Sequence, residues 1–226
     1  MSPHALHRPI WNTLASGWSA LAQGDAWARR IDPRYGPFAA AADRNEQAQA
    51  ALSTLIPEQG ELWLVEPDCI APPPGSCLVR EATLVQMIAD EAVAGNPGFE
   101  PLILTDQDAE EMRALALSTK PGPFLPLTHR LGRFIGIRQE GRLVAMAGER
   151  MRVPGFAEIS GVCTHPDHRG RGYAKGLMQI VAQAMQARGD TPFLHAYAAH
   201  DATVALYRTL GFRVREEMHM VVVAQA

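Results

Sequence analysis

The sequence is poor in lysine, poor in cysteine and free of long apolar runs. Of its 226 residues, 21 are basic and 24 acidic, a formal net charge of −3, and only Lys120 and Lys175 are lysine. With an isoelectric point near 6.2, this balance argues against a general nucleic-acid binder. The arginine excess is no sign of phosphate recognition by itself, because arginine-rich coding produces the same composition. Three cysteines, Cys69, Cys77 and Cys163, are an odd number without zinc-type spacing. That excludes a disulfide framework and predicts reduced thiols. No apolar run approaches the ~18 residues a membrane span needs, and the N-terminus lacks a basic-then-apolar leader pattern. These absences predict a soluble, cytoplasmic protein with no nucleic-acid and no membrane partner.

What is present suits a globular chain: 47% hydrophobic residues and a mean hydropathy of −0.10. The length allows one large domain or two small ones. Charge is uneven. Up to Gly95 there are 6 basic and 11 acidic residues, and after it 15 and 13. The turn cluster Gly95-Asn96-Pro97-Gly98 marks a boundary between residues 1–95 and 96–226. The first 60 residues read as helical and alanine-rich, with a helix from Asp43 to Ile56 capped by Asp43. Glu61–Glu66 reads as a strand and the proline-rich 68–75 as an extended loop. Cys77–Ala89 opens as a strand and continues as strand or helix. The four tryptophans, Trp11, Trp18, Trp27 and Trp63, lie in this part, either in a core or around an acceptor pocket.

After Gly98 the pattern sharpens. A short strand at Pro101–Leu104 precedes a helix over 107–118 capped by Thr105 or Asp106, and a shorter helical piece lies near Leu125–Leu131. Phe134–Arg138 and Leu143–Arg152 read as a hairpin and Phe156 onward as a strand. A helix over 172–188 carries apolar residues at 174, 177, 178, 181 and 185 and ends at Gly189. A strand at Phe193–Ala198, a helix at Asp201–Leu210 and a strand at Phe212–Val223 complete an α/β chain with a mixed sheet. No repeat of fixed period is visible, although two halves of similar size leave a diverged duplication open.

The most informative stretch is Phe156–Ala174, FAEISGVCTHPDHRGRGYA. A strand leads into an Arg/Gly loop that opens a helix, which aims backbone N–H groups and the helix dipole at an anion. Arg169-Gly170-Arg171-Gly172-Tyr173-Ala174 matches the pyrophosphate signature of the GNAT superfamily of acyl-CoA-dependent N-acyltransferases. The preceding HPDH run and the later Leu206-Tyr207-Arg208-Thr209-Leu210-Gly211-Phe212 also resemble that family. The resemblance covers residues 100–226. It implies a GNAT-like fold there, preceded by a smaller α/β domain, a diverged half of the same kind being one form it could take.

The resemblance further implies acetyl-CoA as co-substrate, with no metal. Its pyrophosphate would rest on the backbone of Arg169, Gly170, Arg171, Gly172, Tyr173 and Ala174. Val162, Cys163 and Thr164 would bind the pantetheine arm, the Val162 N–H facing the thioester oxygen. Tyr207 matches the family's general acid, the alternative being packing against the cofactor's sulfur end. Glu158, eleven residues before Arg169, matches a general base found in several members. The alternative is a structural partner for an arginine. Strand alternation places Glu158 with Ser160 and Val162 on one face. Relatives often carry Asn where this chain has His200, which keeps a cofactor contact through its imidazole. His165, Asp167 and His168 belong to the loop signature rather than to a metal site. Cys163 as a nucleophile is disfavoured, because transfer in the family is direct. The implied activity is acetyl transfer to a primary amine of a small molecule or peptide, and a homodimer is compatible with it. The competing readings are a non-catalytic acyl-CoA-binding regulator, transfer of a longer acyl group or to a hydroxyl, and a nucleotide binder, which lacks GxxxxGK[ST].

Overall fold

The computed structural model describes residues 4–226. In chain order the first elements are α1 (Pro9–Leu14), β1 (Ala22–Gly24), β2 (Ala28–Ile31), β3 (Ala39–Ala41), α2 (Glu46–Thr54), β4 (Leu62–Glu66) and β5 (Ser76–Ile88). After an irregular segment come β6 (Leu102–Leu104), α3 (Ala109–Thr119), β7 (Phe134–Gln139), β8 (Arg142–Val153) and β9 (Phe156–Thr164). The chain ends with α4 (Tyr173–Ala187), β10 (Thr191–Tyr197), α5 (Asp201–Thr209) and β11 (Arg213–Gln225). Among the described residues no helix is long and apolar enough to cross a membrane.

The strands form a three-stranded sheet, β1-β2-β3, and an eight-stranded mixed sheet in the order β4-β11-β5-β10-β9-β8-β7-β6. This order corrects the division at Gly95. Strand β5, from the first part, lies between β10 and β11, from the second, pairing antiparallel with both. Residues 1–95 therefore do not fold as a separate unit: beside the small sheet they supply β4 and β5 to the large one. The segment around Gly95 is also no loose linker. Gln179, Gln183 and Gln186, one stripe of α4, donate to the carbonyls of Ala89, Glu91, Val93, Ala94 and Gly95. The stretch 22–41, expected to be helical, is the small sheet. Ala39, Ala40 and Ala41 are all buried, so packing decides against the helical preference of alanine. Helix α2 starts later than expected, with Asn45 accepting from the Ala48 N–H, while Asp43 accepts from Asn45 N–H. Cys77–Ala89 resolves as one strand.

Helix α4 packs on one face of the large sheet through Leu177, Met178, Val181 and Met185, all buried against Ala157, Ile159 and Leu194. Each is worth about 1.5–3 kcal/mol of apolar burial. On the opposite face Leu6, Ile10, Leu14 and Trp18 pack with Phe38, Phe193, Met218 and Val222, so the N-terminal segment and the C-terminal strands share one core. Farther along that face, α3 covers Phe134, Met146 and Cys163. The Phe134 ring lies on Gly148, where an added Cβ would sit 2.3 Å from the ring, and beside Gly161, where it would sit 2.8 Å away. Gly148→Ala is therefore expected to destabilise the fold by about 1–3 kcal/mol through overpacking. Urea or thermal unfolding measures this, and an unchanged midpoint would show that the ring is free to move.

Candidate active site

Parallel pairing of β9 with β10 covers only Phe156–Glu158 against Thr191–Phe193. Both strands continue beyond it, β9 to Thr164 and β10 to Tyr197, without pairing to each other. The strands part, and a cleft of about 450 Å³ opens. From β9 it is lined by Val162, Cys163 and Thr164, from the following loop by His168 through Ala174 and then Lys175, and from α5 by Thr203, Leu206 and Tyr207. Thr119, at the end of α3, completes it. The strand, loop and tyrosine singled out in the sequence thus meet in one place.

The loop follows from local chemistry. Pro166–His168 forms one 3-10 turn, closed by Arg169 N–H donating to the Pro166 carbonyl. Gly170 and Gly172 take φ of 75° and 77°, a left-handed conformation that costs glycine least. Gly172 is the N-cap of α4 and brings no side chain to its first turn. The N–H groups at the head of this 15-residue helix therefore point toward the cleft unscreened by a cap. Among the described residues, Thr164 Oγ1 and His168 Nδ1 are buried polar atoms without a hydrogen-bond partner, and both residues line this cleft. Buried polar atoms are nearly always paired, so two orphans in one cleft fit a polar ligand held there. The arginines, glycines and helix terminus suit the pyrophosphate of a coenzyme A thioester.

A bulge alters the strand face. Ser160 pairs with Gly148 and Cys163 with Met146, so two β9 residues stand against one of β8. Gly161 sits in the bulge with φ 64°. Val162 consequently packs on the α4 side, whereas Glu158 lies on the other. The expectation that Glu158, Ser160 and Val162 share a face is corrected by this one extra residue.

Glu158 itself is fully buried and lines no part of the cleft. Arg150 clamps both its oxygens at 2.7 Å, and His195 Nδ1 lies 2.8 Å from Oε1. Burial alone would raise its pKa; the charge and hydrogen bonds of Arg150, with the hydrogen bond from His195, outweigh this and bring it down to about 2. Val162 lies four residues along the strand, roughly 13 Å at strand rise. A carboxylate so engaged is a poor proton acceptor, so Glu158 is the arginine's partner and not the expected base. His200 was expected to contact the cofactor. It precedes α5, its ring 5.1 Å from that of Tyr197, and is not among the cleft residues. Thr203 lines the cleft one helical turn before Tyr207, a position legible from the i, i+4 spacing.

Tyr207 is largely buried, and desolvation holds its hydroxyl above the ordinary tyrosine value. Burial likewise pushes the Cys163 thiol up to about 11, which leaves it protonated and unfit as a nucleophile. Tyr173, expected on the loop backbone, also accepts a hydrogen bond at its hydroxyl from Gln139 Nε2.

Residues 134–221 match the model of the family described as FR47-like protein. An 83-residue stretch is 35% identical to the N-alpha-acetyltransferase RimI of Mycobacterium tuberculosis (strain ATCC 25618 / H37Rv), covering 35% of this chain and about half, 51%, of that relative. A solved GNAT-family structure from Novosphingobium aromaticivorans DSM 12444, assigned as an acetyltransferase, is 47% identical over 99% of this chain and 100% of its own, with a TM-score of 0.92. A GCN5-related N-acetyltransferase from Kribbella flavida shares the fold, at 19% identity and a TM-score of 0.64, over 97% of this chain and 95% of its own. With near-complete coverage at 47% identity, the chain belongs to the GNAT acetyltransferase family.

Proposed function

We propose that this enzyme moves the acetyl group of acetyl-CoA to a primary amine by direct attack. The observation that carries this reading is the cleft between β9 and α5, beyond the point where β9 leaves β10, in which an uncapped helix terminus, a strand edge and a desolvated tyrosine converge. Backbone N–H groups from Arg169 to Ala174 hold the pyrophosphate. The pantetheine arm runs along Val162–Thr164, and the Val162 N–H polarises the thioester carbonyl. The amine nitrogen bonds to the carbonyl carbon, the C–S bond breaks, and the departing thiolate takes the Tyr207 proton. The amine proton leaves to water, because the Glu158 carboxylate is already engaged by Arg150.

The acceptor class is a small-molecule or peptide amine. The RimI relative is an N-alpha-acetyltransferase, which places peptides with a free N-terminus first in a panel of acceptors. The test is thiol release from acetyl-CoA by the full chain across peptides, amino acids and small amines, with propionyl-CoA as a parallel donor. Amine-dependent release, faster with acetyl-CoA, is the expected result. Tight acetyl-CoA binding with no release on any amine would instead support a non-catalytic binder.

A further inference from the structure

Five adjacent strands each send one polar side chain into a single row across the sheet, on the face away from α4. The row runs Arg150 (β8), Glu158 (β9), His195 (β10), Gln86 (β5), Arg215 (β11). Beyond the Arg150–Glu158–His195 links, Gln86 Nε2 lies 3.1 Å from His195 Nε2, and Arg215 Nη1 donates to Gln86 Oε1 at 2.9 Å. Arg215 also pairs with Glu216. Both terminal arginines stand in β-bulges. Residues 150 and 151 together oppose Glu158, and Arg215 is the extra residue between the pairs Val214↔Met87 and Glu216↔Gln86. A bulge re-aims a side chain at the cost of a ladder bond, so two of them ending one row mark it as built.

The row fixes its own protons. Arginine only donates, so the Gln86 oxygen must face Arg215. Gln86 Nε2 then donates to the Leu6 carbonyl, 3.1 Å away, and directs its second hydrogen at His195 Nε2. That nitrogen must accept. The His195 proton is therefore on Nδ1, donated to Glu158. With Arg150 matched by Glu158 and Arg215 by Glu216, a neutral imidazole also leaves the row without net charge. A second proton would set two N–H groups against each other between His195 and Gln86.

Its place in the fold gives the row a task. Backbone pairing of β9 with β10 ends at Glu158↔Phe193, and the cleft lies beyond. The Glu158–His195 bond is the next rung, made by side chains alone. We infer that His195, as a neutral Nδ1–H donor, is a positioning residue that pins the inner end of the cleft. It thereby sets the spacing between the β9 backbone near Val162 and Tyr207, which follows β10. The same row gives residues before Gly95 a part in this site. They supply Gln86 and the Leu6 carbonyl, while the Trp18 indole N–H donates to the Arg150 carbonyl and Phe38 lies 4.8 Å under its guanidinium.

This inference rests on the acyl-transfer reading for its kinetic arm only. The first arm is imidazole ¹⁵N NMR of the intact protein at the pH of the assay. It should show a pyrrole-type Nδ1 and a pyridine-type Nε2 for His195. The opposite tautomer, or a doubly protonated ring, overturns the inference whether or not an acceptor is known. In the second arm, H195A should lower turnover at saturating acetyl-CoA by about 10–100-fold, the cost of a misplacement near 1 Å. H195Q, whose amide can accept from Gln86 and donate to Glu158, should recover most of that loss with an unshifted pH profile. Wild-type turnover in a folded H195A, or an acid limb lost in H195Q, would contradict a positioning role.

Discussion

Turnover by the Tyr207→Phe enzyme is expected to fall by about 10²-fold or more, while its affinity for acetyl-CoA stays within about threefold. The substitution removes one oxygen. The ring, 6.4 Å from that of Phe212, keeps its place at the C-terminal end of α5. Cofactor binding should survive because the proposed pyrophosphate site is the loop and the head of α4, not the phenol. Chemistry should not survive. A departing thiolate needs a proton, and among the cleft residues Tyr207 offers a desolvated hydroxyl whose pKa is raised, so it keeps its proton at neutral pH. Thiol-release kinetics, paired with calorimetric binding of acetyl-CoA, separate the two effects. Equal turnover for the parent and Y207F would take Tyr207 out of the mechanism. A loss confined to affinity would make it only a packing surface for the cofactor.

The strand, loop and helix head that line the cleft were legible because they are contiguous in sequence. Strand, Arg/Gly loop and helix follow one another from Phe156 to Ala187, and local rules suffice to read them. What failed needed distant partners. Alternation along β9 could not show that Arg150 and His195, from two other strands, already hold Glu158. The inserted residue at Gly161 breaks the two-residue period without changing composition, so Val162 turned unannounced to the α4 side. The segment around Gly95 runs without a hydrogen-bonded turn, and the glutamine stripe that clamps it belongs to a helix more than eighty positions away. The small sheet over 22–41 was hidden for a different reason. Its alanines favour helix as isolated residues and become strand only because the core closes on Ala39–Ala41.

Glu158→Gln should destabilise the protein near neutral pH by about 3 kcal/mol, with the deficit shrinking in acid. Glutamine matches the shape of the carboxylate but carries an NH₂ where an acceptor is needed. It faces either an Arg150 N–H or the His195 Nδ1–H with a second donor, and leaves the guanidinium over Phe38 without a counter-charge. The pH dependence follows from the same pair. In the folded state the carboxyl titrates at about 2, against an ordinary value of 4.5. A depressed folded pKa means that the carboxylate contributes its full stabilisation above pH 4.5 and loses it as pH falls toward 2. The parent's advantage over E158Q should therefore be constant from neutrality down to about pH 5. Below that it should close, because the unfolded parent takes up a proton that the folded carboxyl, titrating at about 2, does not. Denaturant unfolding of both proteins along a pH series measures the gap directly. A gap that stays constant through pH 3 would mean that the lost stability comes from packing and not from the charge that Arg150 holds.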